Sequence, residues 1–477
     1  DGSGCWPGAQ PPTRWSETTN VLWRAKAGAA DSAAVVVGDK VFAQGNGVVL
    51  ACFSLTNGSE LWRVDRHIGD APDLRLHRQL EEAVLGYHGM RPFAAEVAGA
   101  TQALNKLTAG RTPATEEQVA AAKARLEKAQ AALVEPERAL SNLVAALDQQ
   151  ALRMRWGPTG GAVSKVATTP VTDGQRIYAF LPTGVAVAYD LDGRQLWLRV
   201  LGDARVGGGW GGGSVGASPV LAEGKLVIHY DGVYCLDPDT GKTLWSQPQR
   251  TYPNGTPAIA RGADGTAYVA LASLQVLRLD DGTYVEGDDK GIGRDNVSGV
   301  SPVVWNGDTV VWISHALRMP ARRGGKCALV WDMAPESMEK LTKFNHVTKP
   351  TPGQPYRVRG LGPHTSTSPV LYDGLLHFTH ESLPYSMVDV TTGNCTASGW
   401  LSRPRPQACW GGLCAAGNLI FLPGPTTFVM RPGRIDEGSV VAANQISGYQ
   451  QAPLVFHGRK LFLRAGDELL CIEEAVK

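Results

Sequence analysis

Polar and aromatic residues suited to ligand chemistry recur along this chain, shortly before copies of a repeated apolar segment. We expect eight of them to line a ligand site, namely Lys165, Trp210, Asn254, Asp295, Asn296, His364, Trp410 and Gln450. Asp295 and Asn296 offer the oxygen ligands that Ca²⁺ prefers, although a simple turn would also explain this pair. His364 has the type of side chain that serves as a general base, and a hydrogen-bonded surface histidine is the alternative.

The eight cysteines lie far apart, at positions 5, 52, 235, 327, 395, 409, 414 and 471. They show neither the spacing of a zinc site nor the CxxCH of a covalently attached haem. Their even number, with Asp as first residue, predicts a mature exported protein, periplasmic or extracellular, whose signal peptide has been removed. A cytosolic protein with eight reduced thiols is the alternative. Cys409 and Cys414 flank a Trp-Gly-Gly turn, where we predict a disulfide.

Composition excludes several classes of protein. The 46 basic and 45 acidic residues leave no excess of positive charge for binding nucleic acid. No apolar run of about 18 residues or more occurs, so no membrane span is predicted. The hydrophobic content of 43% excludes general disorder, and 56 Gly with 30 Pro predict a turn-rich, mostly β protein. The chain has 477 residues and is too long for one ordinary domain, which has roughly 150 residues.

One phrase occurs eight times: a small or polar residue, often followed by Pro, then a hydrophobic pair, a Gly-containing turn and an apolar run. The copies begin at Ala33, Thr169, Ser218, Thr256, Ser301, Ser368, Gly412 and Ala452. Each copy predicts a strand, a tight turn and a returning strand. A second phrase, fullest at 235–245 and weaker at 54–62, 190–197 and 389–400, predicts a third strand, an Asx-Gly turn and a fourth strand containing Trp. Turns about 40 to 50 residues apart are typical of four-stranded propeller blades.

The two ends of the chain complete this pattern. The last unit stops at Cys471–Glu473 after three strands. Residues 20–25 resemble a fourth strand but belong to none of the eight units. Pairing the two would remove two exposed sheet edges. The predicted fold is an all-β, eight-bladed β-propeller, closed by its N-terminal strand, with an inserted antiparallel α-helical coiled-coil hairpin. The predicted domains are a tail at 1–19, the propeller at 20–73 and 157–477, and the hairpin at 74–156. A string of independent β domains would leave the N-terminal strand unexplained.

Residues 74–156 are rich in Ala, Leu, Glu, Lys and Arg, as long helices are. Steps of three, four and seven residues predict a seam between two helices. Its members are Phe93, Val97, Leu104 and Leu107 in the first helix and Val119, Leu126, Leu133 and Leu140 in the second. Thr115 and Gln118 predict a capping box at the second helix. We expect this hairpin to bind a protein partner or a second copy; a hairpin folded over the propeller face is the alternative.

The Asp-x-x-Thr-Gly-Lys-x-x-Trp phrase ending at Trp245 and the Ser-Pro-Val strands resemble the repeats of the PQQ-like β-propeller superfamily. That group includes quinoprotein alcohol dehydrogenases and the outer-membrane-assembly lipoprotein BamB. The resemblance covers 20–70 and 157–477 and implies the fold. A PQQ enzyme of this kind would need an adjacent Cys-Cys pair above the quinone, a Trp below it, and Glu, Asn and Asp around calcium. The chain has no Cys-Cys pair, so no cofactor is expected.

These observations favour an exported, non-catalytic binding or scaffold module in protein assembly, with the hairpin as its interaction element. A PQQ- and calcium-dependent dehydrogenase, with its site at the channel mouth, is the alternative. A hydrolase or lyase that uses His364 and Asp295 is a third hypothesis, for which no substrate is suggested. Propellers serve unrelated functions, so the fold by itself does not decide among the three.

Overall fold

In the computed structural model the sheets form one compact unit and two helices form a second. The predicted domain boundaries at 73/74 and 156/157 fall outside the residues that the structure describes and stay predictions. The described residues are 2–45, 49–64, 75–109, 114–145, 168–181, 184–201, 217–230, 232–248, 255–262, 264–272, 275–285, 301–311, 318–323, 326–332, 347–348, 357–358, 368–380, 383–391, 395–399, 411–435, 437–448 and 452–475.

The strands alternate with short turns, many of which contain Gly. The first part of the chain forms β1 (Cys5–Trp6), β2 (Val21–Lys26), β3 (Val35–Val37), β4 (Lys40–Gly45), β5 (Val49–Ser54), β6 (Glu60–Val64), β7 (Val171–Thr172), β8 (Arg176–Phe180), β9 (Val185–Asp190), β10 (Gln195–Val200), β11 (Val220–Ala222), β12 (Lys225–His229), β13 (Gly232–Leu236), β14 (Thr243–Pro248), β15 (Ala258–Arg261), β16 (Ala267–Ala270) and β17 (Val276–Arg278).

The second part forms β18 (Val303–Trp305), β19 (Thr309–Val311), β20 (Arg318–Arg323), β21 (Lys326–Asp332), β22 (Val347–Thr348), β23 (Arg357–Val358), β24 (Val370–Tyr372), β25 (Leu375–His380), β26 (Leu383–Asp389), β27 (Cys395–Gly399), β28 (Cys414–Ala416), β29 (Leu419–Leu422), β30 (Thr426–Met430), β31 (Val440–Gln445), β32 (Val455–His457), β33 (Lys460–Ala465) and β34 (Glu468–Glu473).

These strands form the blades of an all-β propeller. Five antiparallel sheets contain four consecutive strands each: β3–β6, β7–β10, β11–β14, β18–β21 and β24–β27. Strands β28–β31 form a sixth, to which β1 adds in parallel, and β32–β34 form a seventh with β2. Strands β15–β17 make a three-stranded sheet, so the described residues contain seven complete blades and the predicted count of eight is not confirmed. Within the described part of the chain, strands β22 and β23 pair only with each other.

The N-terminal strand completes the last blade, as predicted. Strand β2 pairs antiparallel with β34, with Trp23 opposite Cys471 and Lys26 opposite Glu468. The Trp23 ring then packs on Gly58 of the first blade, and its Nε1–H donates to Leu55 O at 3.2 Å. The first and last blades are therefore joined through β2, which also gives the edge of β34 its hydrogen-bonding partner.

The repeated Trp and Gly form the outer contact between neighbouring blades. Trp197 Nε1–H donates to Pro238 O at 2.8 Å, and a Cβ on Gly241 would lie 2.6 Å from the Trp197 ring. Gly241 also has a φ of 67°, which a residue with a Cβ rarely adopts. Only Gly fits this turn, which explains the spacing of the second phrase. The same contact joins Trp23 to Gly58, Trp62 to Gly193 and Trp245 to Gly282.

The first residue of each repeat forms an inner contact, which we call the inner ring. In four repeats this residue is a Ser or Thr whose hydroxyl accepts a hydrogen bond from the equivalent backbone N–H of the preceding blade, which explains why Ser or Thr recurs there. The bonds run from Ala33 N to Thr169 Oγ1 (3.0 Å), Thr169 N to Ser218 Oγ (2.9 Å), Ser218 N to Thr256 Oγ1 (3.1 Å) and Thr256 N to Ser301 Oγ (3.1 Å), and Ser368 Oγ contacts Ser301 Oγ at 3.3 Å.

The second unit contains helices α1 (Arg75–Ala109) and α2 (Glu116–Ala145), which pack on each other. The predicted capping box is present, because Thr115 N donates to Gln118 Oε1 at 3.0 Å and Gln118 N to Thr115 Oγ1 at 3.2 Å. Arg125 of α2 bonds Glu96 of α1, whereas Gly86, earlier in α1, faces Leu143, later in α2. The helices are therefore antiparallel.

Two alanines, Ala100 and Ala129, are the buried residues of this helical pair among those described. The predicted seam residues at 97, 104, 107, 119, 126, 133 and 140 are half-buried. Phe93 is instead 40% exposed and does not lie in the seam. Pro92 stands inside α1 directly before it, and the heptad count took no account of the hydrogen bond that a proline removes. A continuous coiled coil is not confirmed.

Candidate functional site

The ligand-site residues predicted from the repeats all lie outside the described residues. This holds for Lys165, Trp210, Asn254, Asp295, Asn296, His364, Trp410 and Gln450, so their proximity stays a prediction. Cys409 also lies outside, and Cys414 is a free thiol. The predicted disulfide is therefore not confirmed; Cys414 is a buried residue of β28 whose Sγ contacts Gly412 O and Leu454 O, each at 3.5 Å.

The described residues contain another candidate site, a group of four buried polar side chains and one half-buried aspartate where the last blade meets the first. We call it the Arg464 cluster and define it as Asp31, Ser32, Gln44, Thr168 and Arg464. Arg464 is 2% exposed, and Ser32, Gln44 and Thr168 are fully buried. Arginine is among the residues least often buried unless it is paired, so an interior guanidinium needs an explanation.

Strand register brings Arg464 and Gln44 together. Each is the fifth residue of the second strand of its blade, Arg464 in β33 and Gln44 in β4. At this register the side chain reaches into the next blade: Arg464 Nη2 donates to Gln44 O, and Gln44 Nε2 donates to Phe180 O at 3.2 Å. Thr168 Oγ1 donates to the same Phe180 carbonyl at 2.7 Å. A line of hydrogen bonds therefore crosses three consecutive blades.

The cluster adjoins the inner ring. Ser32 immediately precedes Ala33, and Thr168 immediately precedes Thr169, which are the first two members of that ring. The cluster is thus next to the start of the innermost strands, where the repeats predict a ligand site. Gly45, which follows Gln44, lies so close to the loop before β3 that a Cβ there would be 2.0 Å from Ala27 O. The backbone is therefore closely packed on this side of the cluster, between Gly45 and Ala27.

Several polar atoms of the cluster have no hydrogen-bond partner among the described residues. They are Arg464 Nε and Nη1, Gln44 Oε1 and Ser32 Oγ. Two guanidinium nitrogens and a hydroxyl can donate, whereas an amide oxygen can only accept. A buried polar atom without a partner costs about 1–3 kcal/mol. The arrangement leaves donors and an acceptor available to a bound molecule.

Comparison with known proteins identifies the repeats. A family model described as outer membrane protein assembly factor BamB matches residues 138–316. BamB from Moraxella catarrhalis is 10% identical, with a TM-score of 0.51, over 93% of this chain and 97% of that one. The chain has a β-propeller fold, and its repeats resemble those of the PQQ-like superfamily. Quinohemoprotein alcohol dehydrogenase from Comamonas testosteroni is also 10% identical, with a TM-score of 0.55, over 98% of this chain and 79% of that one. No curated protein matches the chain.

A designed protein gives the same result for the fold of this propeller. The computationally designed Ika8 protein is 10% identical, with a TM-score of 0.52, over 95% of this chain and all of the other. At such identities the likeness concerns the arrangement of strands alone. What the propeller binds has to be argued from its own residues.

The residues of this propeller do not form a PQQ–calcium site where they are described. The chain lacks an adjacent Cys-Cys pair, and the described part contains no group of three or more His, Cys, Asp or Glu that could hold a metal ion. Asp295 and Asn296, the predicted cation ligands, lie outside it. No described helix is long and apolar enough to cross a membrane.

The electrostatics of the Arg464 cluster suit binding rather than acid–base chemistry. Burial lowers the pKa of Arg464 to about 10, and the charge of Asp31 opposes this shift. Arg464 therefore keeps its positive charge at neutral pH. A general base with a pKa near 7 is not supplied by the buried histidines either, since burial lowers the pKa of His229 and of His377 to about 4.

Sequence reasoning missed the Arg464 cluster because it searched for Pro-containing repeats and hydrophobic patterns. The available signal was one polar residue at a fixed place in an apolar strand: Gln44 follows Val41-Phe42-Ala43, and Arg464 follows Leu461-Phe462-Leu463. His229 and Thr379 occupy the same fifth position in β12 and β25. Aligning the second strands of all repeats would have shown this position.

Proposed function

We propose that this PQQ-like propeller is an exported, non-catalytic binding or scaffold module in protein assembly, and that its helical pair is the interaction element. The observation that carries the proposal is the helical pair itself. It forms its own compact unit, buries mainly small side chains, and leaves Phe93 40% and Val134 56% exposed. A contiguous apolar patch on a surface marks an interaction site, and we propose that Phe93 and Val134 belong to one.

The packing of the two helices supports a docking role. A seam built on Ala100 and Ala129 buries little apolar surface, so two helices alone gain limited stability from each other. A partner or a second copy that covers Phe93 and Val134 would add apolar burial, at roughly 25 cal/mol per Å². The name of one similar structure, BamB, is that of an outer membrane assembly factor, which fits the proposed class of function.

We further propose that the ring has eight blades, with the sheet β15–β17 as the fourth. The inner ring supports this, because Thr256 of that sheet bonds Ser218 before it and Ser301 after it. An isolated bridge between Leu277 and Tyr284 lies where a fourth strand of this blade would begin. The domains at 20–73 with 157–477 and at 74–156 are part of the same proposal.

Photo-crosslinking on the full chain tests the interaction element. A benzophenone side chain replaces Phe93 or Val134, and the matched control carries it at Leu244, which is 48% exposed on β14 of the propeller. We expect adducts with one protein partner, or with a second copy, from positions 93 and 134 and none from 244. Equal labelling from all three positions would contradict a role specific to the helices.

A second measurement addresses the absence of catalysis. The purified chain is incubated with PQQ and Ca²⁺, and dye-linked alcohol oxidation is followed. We expect no turnover above that of the cofactor alone. Steady, enzyme-dependent turnover would replace the proposal with the dehydrogenase hypothesis, in which the channel mouth is the active site.

A further inference from the structure

The fifth position of the second strand does not require a charged residue. In β8 the same position is Phe180, which is fully buried and packs edge-on against Tyr230 with the ring centroids 5.1 Å apart. The fold therefore accepts an apolar side chain where Arg464 stands in β33. An arginine there costs desolvation energy that a phenylalanine would not, so packing alone does not explain it.

The hydrogen bonds of Arg464 leave most of its donors unused within the described residues. Nη2 donates to Gln44 O, whereas Nε and Nη1 have no partner there. Asp31 acts on Arg464 through its charge but does not accept from Nε or Nη1. A guanidinium stripped of water normally binds oxygen acceptors with several of its N–H groups, most strongly when those acceptors are negatively charged.

We propose that the Arg464 cluster is a binding site for an oxyanion, the carboxylate or phosphate group of a small molecule. The oxygens of that group would accept from Arg464 Nε and Nη1 and from the Ser32 hydroxyl. Gln44 Oε1 would accept from a hydroxyl or a protonated oxygen of the same molecule. Both the donors and the acceptor are atoms that have no partner among the described residues.

The place of the cluster supports this assignment. It joins the first, second and last blades and adjoins the inner ring at Ala33 and Thr169. A ligand held there would contact residues far apart in the chain and would stabilise the closure of the ring. The inference concerns the propeller unit alone and does not depend on the helical pair, so either proposal can fail without the other.

Binding is measured by thermal unfolding and calorimetry of the full chain with two probes, sodium phosphate and sodium acetate, at ionic strength matched with sodium chloride. The variants are Arg464→Lys, which keeps the charge but loses the fork of donors, and Ser32→Ala. The control is His229→Leu, which removes a fully buried polar side chain at the same strand position three blades further along.

We expect saturable binding of at least one probe, with affinity at least tenfold weaker in Arg464→Lys and several-fold weaker in Ser32→Ala. His229→Leu should bind as the unmodified chain does. If Arg464→Lys fails to fold, Ser32→Ala decides, since it removes only an unpartnered hydroxyl. The proposal is overturned if the probes shift the melting temperature no more than chloride does. It is equally overturned if both variants bind unchanged, or if a phosphate-grown crystal shows only water at Arg464 Nε and Nη1.

Discussion

Two junctions between blades share one outer contact and differ in the interior. Where the last blade meets the first, Trp23 packs on Gly58; where the second meets the third, Trp197 packs on Gly241. At the fifth position of the second strand, the first junction has Arg464, whereas the second has Phe180 against Tyr230. The fold fixes the outer contact at both junctions but leaves the inner position open to either chemistry.

This difference distinguishes residues that the propeller fold requires, in the Trp-Gly contact, from residues at the fifth position that are available for another role. The Trp-Gly contact recurs because a large ring and a turn without a Cβ fit each other at every junction where it is described. The fifth position varies because its side chain lies between two blades, whereas strand pairing uses only its backbone. Buried polar groups are costly, so those that persist at such a place point to a role other than packing.

Exchanging the chemistry of the two junctions should have the largest effect. Phe180→Arg places a charge at a fully buried position that now packs an aromatic ring, and it removes the Tyr230 contact. We expect the free energy of unfolding to fall by about 5 kcal/mol, which combines an uncompensated buried charge with the loss of a large side chain. Urea unfolding followed by tryptophan fluorescence measures it. The control Phe180→Leu should lose much less, and equal losses would show that volume, not charge, matters.

Removing the shared outer contact should have the next largest effect, similar at both junctions. Trp197→Ala leaves a cavity beside Tyr178 and Gly241 and frees the Pro238 carbonyl. We expect a loss of about 3–5 kcal/mol, and a loss of the same order for Trp23→Ala. Differential scanning calorimetry compares the two. A much larger loss for Trp23→Ala would mean that the closing junction carries more of the stability than the others.

The outer contact was predictable from sequence, because it repeats. The eight copies of the first phrase and the Trp of the second phrase gave the strand order and the closing role of residues 20–25, and pairing of β2 with β34 confirmed that role. The capping box at Thr115 was also predictable, since it depends on two residues three apart. Local and repeated features leave a pattern in the chain.

The inner position was not predictable, because no repeated pattern includes it. Arg464 meets Gln44 across more than 400 residues, and only the closed ring brings them together. The exposure of Phe93 was missed for a related reason: a heptad count assumes an unbroken helix and ignores Pro92. The predicted mouth residues stay predictions, since they lie outside the described part of the chain.

His229 offers a further comparison at the fifth position, because its ionisation makes the stability of the protein depend on pH. It occupies the fifth position of β12, is fully buried, and has no hydrogen-bond partner among the described residues for either ring nitrogen. Burial lowers its pKa from 6.5 to about 4. Between these values the unfolded chain binds a proton that the folded chain does not, so stability falls as the pH decreases from 6.5 towards 4.

This histidine should account for a loss of about 3 kcal/mol across that range, at 1.36 kcal/mol per pKa unit. His229→Leu should flatten the dependence of the free energy of unfolding on pH. Urea titrations at intervals between pH 7 and pH 4 measure it. His377, whose pKa is also lowered to about 4 and whose Nδ1 lies 2.5 Å from Tyr385 Oη, contributes in the same direction and remains in the variant. An unchanged slope in His229→Leu would contradict the buried neutral form of this side chain.

We expect the smallest effect on stability at Arg464, the residue that differs most from its counterpart Phe180. Arg464→Met replaces a buried guanidinium with an apolar side chain that fills much of the same space. In chloride buffer the gain from removing a buried charge offsets the donor lost to the Gln44 carbonyl, so unfolding should change by no more than about 1 kcal/mol. Urea unfolding beside Phe180→Leu measures it. A loss above about 3 kcal/mol would show that Arg464 holds the closing junction together, and its role would then be structural.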